Sequence, residues 1–155
     1  MQGKIALVTG ASRGIGRAIA EELAAKGAFV VGTATSEKGA EAISAYLGEQ
    51  GKGLVLNVTE AESIDALLAQ IKAQFGDVDI LVNNAGITRD GLLMRMKDAD
   101  WFDIIQTNLT SVYRLSKAVL RPMMKKGGRI ITIGSVVGSM GNPGQTNYCA
   151  AKAGL

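Results

Sequence analysis

Residues Ile5 to Gly16, Ile-Ala-Leu-Val-Thr-Gly-Ala-Ser-Arg-Gly-Ile-Gly, constrain the fold more than any other stretch. Four apolar residues, too few for a helix, run towards a glycine and read as a strand. Glycines at 10, 14 and 16 make a turn. Beyond it Ile15, Ala18, Ile19 and Leu23 recur at helical spacing, with Arg17, Glu21, Glu22 and Lys26 opposite. A strand, a glycine turn and a helix N-terminus form an anion site, because unpaired N–H groups and the positive end of the helix dipole face whatever the turn holds. The spacing Gly-x-x-x-Gly-x-Gly is neither the G-x-G-x-x-G fingerprint nor a P-loop, which needs Gly-Lys-Ser/Thr. In a chain with 20 glycines, plain turn chemistry explains such a stretch equally well when it is taken alone.

The length of 155 residues suits one domain, residues 1–155, with a sizeable core. A net charge of +3 with no block of like charges gives no basic face for nucleic acid. No apolar run is long enough to span a membrane, and the apolar segment after Met1-Gln2-Gly3-Lys4 is too short for a signal peptide. The single cysteine excludes an internal disulfide framework and fits a reducing cytoplasm. The chain has no histidine. Ser-His-Asp catalysis, Cys-His catalysis and His-ligated zinc are therefore excluded, and no metal site is expected. Proton chemistry falls to tyrosine, lysine, carboxylates or water.

Further strands are expected at 29–35, 54–58, 78–82 and 129–134, and a helix at about 37–47. Thr59 with Glu62 reads as a capping box opening a helix with Ile64, Leu67, Leu68, Ile71 and Phe75 inward, stopped by Gly76. A long helix after Asp98 should turn Phe102, Ile105, Leu109, Val112, Ser116, Val119 and Met123 inward, with Pro122 kinking or ending it. Alternating strands and helices with nearly continuous apolar strands predict an α/β fold. It is a Rossmann-type, doubly wound parallel sheet in a single domain.

The end of the second strand bears on cofactor choice. A carboxylate about 20 residues past the glycines would bind a ribose 2′-hydroxyl and mark NAD. Glu37 stands at about that distance but just beyond the strand, and first-turn helix charge is the preferred reading of it. Thr35, Ser36 and Arg13 would instead welcome a 2′-phosphate, which favours NADP.

Thr9-Gly10-x-x-x-Gly14-x-Gly16, Asn83-Asn84-Ala85-Gly86, Ser135, and Tyr148-x-x-x-Lys152 occur in this order and in matching structural places. In this the chain resembles the short-chain dehydrogenase/reductase family over its whole length. Residues 32–36, 87–90 and 134–138 are similar to the family's bacterial branch that reduces 3-oxoacyl-[acyl carrier protein] in fatty acid biosynthesis. The residues themselves make the chemistry intelligible. Tyr148 and Lys152, at i and i+4, share a helix face, and an ammonium beside a phenol favours its ionised form. Tyr148 would protonate the developing alkoxide while Ser135 hydrogen-bonds the same oxygen, so both would touch substrate. Singly, each has a plain alternative: a cap serine, a packing tyrosine, a solvated lysine. Cys149 points off the Tyr148–Lys152 face and is read as packing.

The resemblance implies more. Gly10, Ala11, Ser12, Arg13, Gly14, Ile15 and Gly16 would cradle the pyrophosphate of NADPH, with Ser12, Arg13 and Thr35 near its 2′-phosphate. Asn57 and Val58 would flank adenine; many relatives have Asp at the first of these positions, and Asn57 would accept through its amide oxygen. Asn84, Ala85 and Gly86 would line the ribose and nicotinamide side. Lys152 would also hold the nicotinamide ribose, and Asn108 would support a water-linked proton relay to it. The resemblance further implies a homotetramer acting on substrate carried by acyl carrier protein. Arg121, Lys125, Lys126 and Arg129 are a cluster that could receive that partner, or simply a solvated helix end. It also implies more strands and a substrate cover after Leu155, so the expectation is a truncated, inactive chain. The competing readings are a reductase of another carbonyl (a coenzyme A thioester, a sugar or a polyketide) and a non-catalytic NADP-binding module.

Overall fold

The computed structural model describes all of residues 1–155. Five strands, β1 (Ile5–Val8), β2 (Phe29–Ala34), β3 (Gly51–Val55), β4 (Ile80–Asn83) and β5 (Arg129–Thr132), form one sheet in the order β3-β2-β1-β4-β5. Every pairing is parallel. The connecting helices are α1 (Gly14–Ala25), α2 (Glu37–Leu47), α3 (Ala61–Gln74), α4 (Asp98–Ile105), α5 (Ser111–Lys126), α6 (Val137–Met140) and α7 (Thr146–Gly154). None is long and apolar enough to cross a membrane.

Successive strand residues point to opposite faces, and both faces are apolar. Ala6, Val8, Val30, Ile80 and Val82 pack with Ala20 and Leu23 of α1 and with Ile43 and Leu47 of α2. Leu7, Val31 and Leu81 pack with Ile64, Leu67 and Ile71 of α3 and with Leu115, Val119 and Met123 of α5. Each buried Val, Leu, Ile or Met among them contributes about 1.5–3 kcal/mol, so the two layers hold the sheet from both sides. The chain moves outward from β1 to β3 and then returns to place β4 on the other side of β1. That reversal opens a crevice at the carboxyl ends of the strands.

Helix α2 occupies the expected residues, capped by Ser36 Oγ, which accepts from Gly39 N–H at 3.2 Å, with Glu37 in its first turn. Other elements depart from the sequence reading for identifiable reasons. The α1 stripe is Gly16, Ala20 and Leu23, while Ile15 is 63% exposed, because Gly16 packs against the preceding turn and rotates the helix. The capping box at Thr59 does not form. The Thr59 hydroxyl donates to Asn57 Oδ1 at 2.7 Å, and α3 starts at Ala61 behind Glu60, which makes no side-chain cap.

Strand lengths also differ. The β3 ladder with β2 ends at Ala34↔Val55, and the β5 ladder with β4 ends at Asn83↔Thr132, so residues 56–58 and 133–134 lie past their strands. β2 likewise stops one residue short of the expected Thr35, and β4 starts two residues after the expected Val78. The long helix after Asp98 is three pieces, because a π-helical segment at Gln106–Thr110 separates α4 from α5. Its wider turn shifts the helical phase. Before it Ile104 is buried and Phe102 is 59% exposed; after it Leu115, Val119 and Met123 face the core. Pro122 lies inside α5, which runs on to Lys126.

Candidate functional site

Beyond β1 the chain is fixed by side chains from three other segments. The Thr9 hydroxyl accepts from the Asn84 and Ala85 N–H groups, both at 3.0 Å, tying β1 to the loop after β4. Asn84 Nδ2 donates to the Thr9 and Gly10 carbonyls, again at 3.0 Å. The Ala11 N–H donates to the Thr33 carbonyl at 2.8 Å, and the Tyr46 hydroxyl donates to the Ala11 carbonyl at 2.7 Å. Gly10 has a φ of +65°, open to glycine at little cost. A Cβ at Gly16 would stand 2.1 Å from the Gly10 oxygen and 2.4 Å from Asn84 Nδ2. Only a glycine there lets the helix start this close to the turn.

With the carbonyls held back, the N–H groups of Ser12, Arg13, Gly14, Ile15 and Gly16 find no acceptor within the chain, and Arg13 caps α1 without a side-chain bond. Five consecutive free donors at the positive end of a helix make an anion site. They face a cleft of about 460 Å³, in the range of small-molecule sites. Of the expected cofactor positions, Gly10, Ser12, Arg13, Gly14, Ile15, Gly16, Thr35, Val58, Asn84, Ala85 and Gly86 line it. Ala11 is fully buried behind it. Asn57 is not in the lining: its amide donates to Glu60 Oε1 and accepts from Thr59, so the side chain is engaged in its own turn. The lining carries one charged side chain, Arg13, and the apolar Ala34, Leu56 and Val58 form a wall where a flat ring could lie. Free donors, a lone cation and an apolar slot fit a dinucleotide.

Ser135, Tyr148 and Lys152 lie outside that lining, past the carboxyl end of β5. Lys152 Nζ sits 5.6 Å from the Tyr148 ring centroid and donates to the Ile133 carbonyl at 2.8 Å, joining α7 to the end of β5. Gly138 of α6 lies against the Lys152 backbone, where a Cβ would come within 2.9 Å, and its N–H donates to the Ser135 carbonyl at 3.1 Å. The serine turn and the tyrosine–lysine face are thereby held together. Neither the Ser135 nor the Tyr148 hydroxyl has a partner within the chain, which leaves both to an incoming group. Burial lowers the Lys152 pKa, and no carboxylate pairs with it to oppose this.

Asn108 lies in the π-helical segment, 1% exposed, as such irregularities often do at functional positions. Its amide exchanges two hydrogen bonds with the Ile87 backbone, at 2.9 and 2.8 Å, and so ties the loop after β4 to the helix behind it. Ile87 and Thr107 line the cleft, so this contact fixes one part of its wall. Of the expected basic cluster, Lys126 pairs with Asp77 at 3.2 Å, while Arg121, Lys125 and Arg129 are exposed.

Sequence reasoning gave Thr9 no role and overlooked Tyr46 and Asn147. Asn147 is wholly buried, and its amide donates to the carbonyls of Arg89 and Asp100 while accepting from the Tyr148 N–H. Its place directly before Tyr148 was the available signal. Tyr46 stands beside the Ala40-Ile43-Leu47 stripe, where a partly buried hydroxyl calls for an acceptor.

Residues 4–155 match the family model described as short chain dehydrogenase. The chain is 83% identical to the 3-oxoacyl-[acyl-carrier-protein] reductase FabG of Haemophilus influenzae, with all of the chain aligned. It is 76% identical to the protein of that name in Escherichia coli K12, over 99% of the chain, and 65% identical to that of Pseudomonas aeruginosa, over all of it. In each case the alignment spans 64% of the relative's length. The chain belongs to the short-chain dehydrogenase family.

Proposed function

We propose that the chain forms the NADP-binding and proton-delivering part of an oxidoreductase that reduces 3-oxoacyl-[acyl carrier protein] to the 3-hydroxyacyl product in fatty acid biosynthesis. It would act as a cytoplasmic homotetramer. The names of the similar proteins support the substrate. The observation that carries the chemistry is a tyrosine–lysine pair whose hydroxyl is free, at the carboxyl end of the same parallel sheet that carries the anion-binding turn. A bound reduced nicotinamide supplies the hydride.

The chain's own residues do the rest. The free N–H groups from Ser12 to Gly16 hold the pyrophosphate, and Arg13, Ser12 and Thr35 receive the 2′-phosphate. Ser135 orients the substrate carbonyl, and Tyr148 gives its phenolic proton to the carbonyl oxygen as negative charge develops there. Lys152, fixed by the Ile133 carbonyl above the Tyr148 ring, stabilises the phenolate left behind. Asn108 holds the Ile87 backbone and thereby that part of the cleft wall.

The test is NADPH consumption by the purified chain with acetoacetyl thioesters of acyl carrier protein and of coenzyme A, with NADH in parallel. NADPH turnover that favours the carrier-protein thioester supports the reading. Turnover with NADH alone would overturn the 2′-phosphate argument, and NADPH binding without turnover would leave a binding module.

A further inference from the structure

Tyr46 lies on α2, outside the cleft lining, yet it makes the one side-chain hydrogen bond to the glycine turn that comes from that helix. Its hydroxyl donates to the Ala11 carbonyl at 2.7 Å, a short bond between elements 35 residues apart. The Ala11 N–H is held from the other side by the Thr33 carbonyl at 2.8 Å, so residue 11 is clamped at both ends and wholly buried. A trans peptide is planar, and its C=O and N–H point in opposite directions. A carbonyl of Ala11 turned towards α2 therefore turns the N–H of Ser12 away from α2. Ser12 lines the cleft and opens the run of five unpaired donors.

The Tyr46 ring is itself fixed. The Arg17 guanidinium covers it at 4.6 Å from the ring centroid, and Arg17 Nε is paired with Glu21 at 2.9 Å. Burial, with Glu21 adding to it, raises the Tyr46 pKa to about 12, so the phenol keeps the proton it donates through the physiological range. Asn84 holds the two preceding carbonyls, those of Thr9 and Gly10. Three consecutive carbonyls are thus tied down by two side chains from different elements, immediately before five consecutive free N–H groups.

We infer that Tyr46 is a positioning residue of the phosphate-binding turn, setting the Ala11–Ser12 peptide so that the donor series begins at Ser12. The inference rests on the cleft being a dinucleotide site. It adds a residue that the glycine motif does not contain and that no contact with the nucleotide would reveal.

Tyr46→Phe removes the hydroxyl and keeps the ring under Arg17. Two measurements on the purified chain test it: NADPH affinity by fluorescence titration, and 15N–1H spectra of the ligand-free protein. The expected result is a roughly three- to tenfold weaker NADPH affinity, the worth of one hydrogen bond, together with displaced Ser12 and Arg13 amide resonances. A merely packing role would lower the melting temperature and leave the affinity and those two resonances unchanged, which would overturn the inference. Unmoved Ser12 and Arg13 resonances in the free protein would overturn it whatever the nucleotide does. If they move but the wild-type chain binds no NADPH, the dinucleotide reading of the cleft fails and the role of Tyr46 in shaping the turn stands.

Discussion

The two ends of the site are built differently. The glycine turn sits at the centre of the sheet, and β1, whose end it continues, is buried between β2 and β4. Thr33, Tyr46 and Asn84 reach it from three other segments, and Thr9 ties it to the loop after β4. The Ser135–Tyr148–Lys152 cluster sits at the sheet's edge. Ile130 and Ile131 of β5 are 38% and 47% exposed, Met140 of α6 is 79% exposed, and the cluster is tied in by Lys152, Asn147 and the Gly138 packing contact. A phosphate site needs fixed backbone donors, which a dense lattice of hydrogen bonds provides. A proton donor that must meet a substrate needs a free hydroxyl, and neither Ser135 nor Tyr148 spends its hydroxyl on a partner within the chain.

Separating the two ends gives the largest effect. Tyr148→Phe should lower the reduction rate by about 100- to 10,000-fold, the scale of general acid catalysis, with NADPH affinity within twofold of wild type. A parallel loss of affinity would mean that the ends are not independent. Gly16→Ala attacks the other end: a Cβ 2.1 Å from the Gly10 oxygen forces the backbone apart. It should cost about 3 kcal/mol of stability in chemical denaturation, and NADPH binding should be lost under conditions where the chain is still folded.

Asn147→Ala probes the Tyr148 helix, because it takes the amide donor from the part-buried hydrogen bonds to the Arg89 and Asp100 carbonyls. About 2 kcal/mol of destabilisation is expected, with NADPH affinity retained. A loss of affinity instead would show that the loop after β4 transmits the damage to the cleft.

The smallest effect is a titration. Tyr46 has its folded pKa raised to about 12 from 10.0. The folded state therefore keeps a proton that the unfolded chain releases, and this contribution to stability is full below pH 10 and lost as pH rises towards 12. Lys152 has the opposite sign. Its pKa is lowered from 10.5, so the folded state sheds a proton first and stability gains as pH rises towards 10.5. Phenolate absorbance should show one late-titrating tyrosine, absent from Tyr46→Phe. A titration of the wild-type chain indistinguishable from that of Tyr46→Phe at its alkaline end would contradict the burial of Tyr46.

The sequence by itself determined the alternation of strands and helices, the parallel sheet, the α2 boundaries and the glycine turn. These depend on local signals: apolar periodicity and backbone freedom at Gly10. The ordered set from Thr9 to Lys152 identified the family for the same reason, since spacing along a chain survives without coordinates. Only the tertiary structure decided where the strands stop, because each ladder ends where its partner ends. It also decided that Phe102 faces out, because the π-helical segment shifts the phase between α4 and α5 and no local residue signal marks it. Asn57 turned to its own loop, and the Asn84 amide to the Thr9 and Gly10 carbonyls, because competing partners appear only once the chain is folded. Tyr46 and Asn147 belong to that second group. Their importance lies in carbonyls 35 and 47 residues or more away, and no reading of a linear pattern reaches that far.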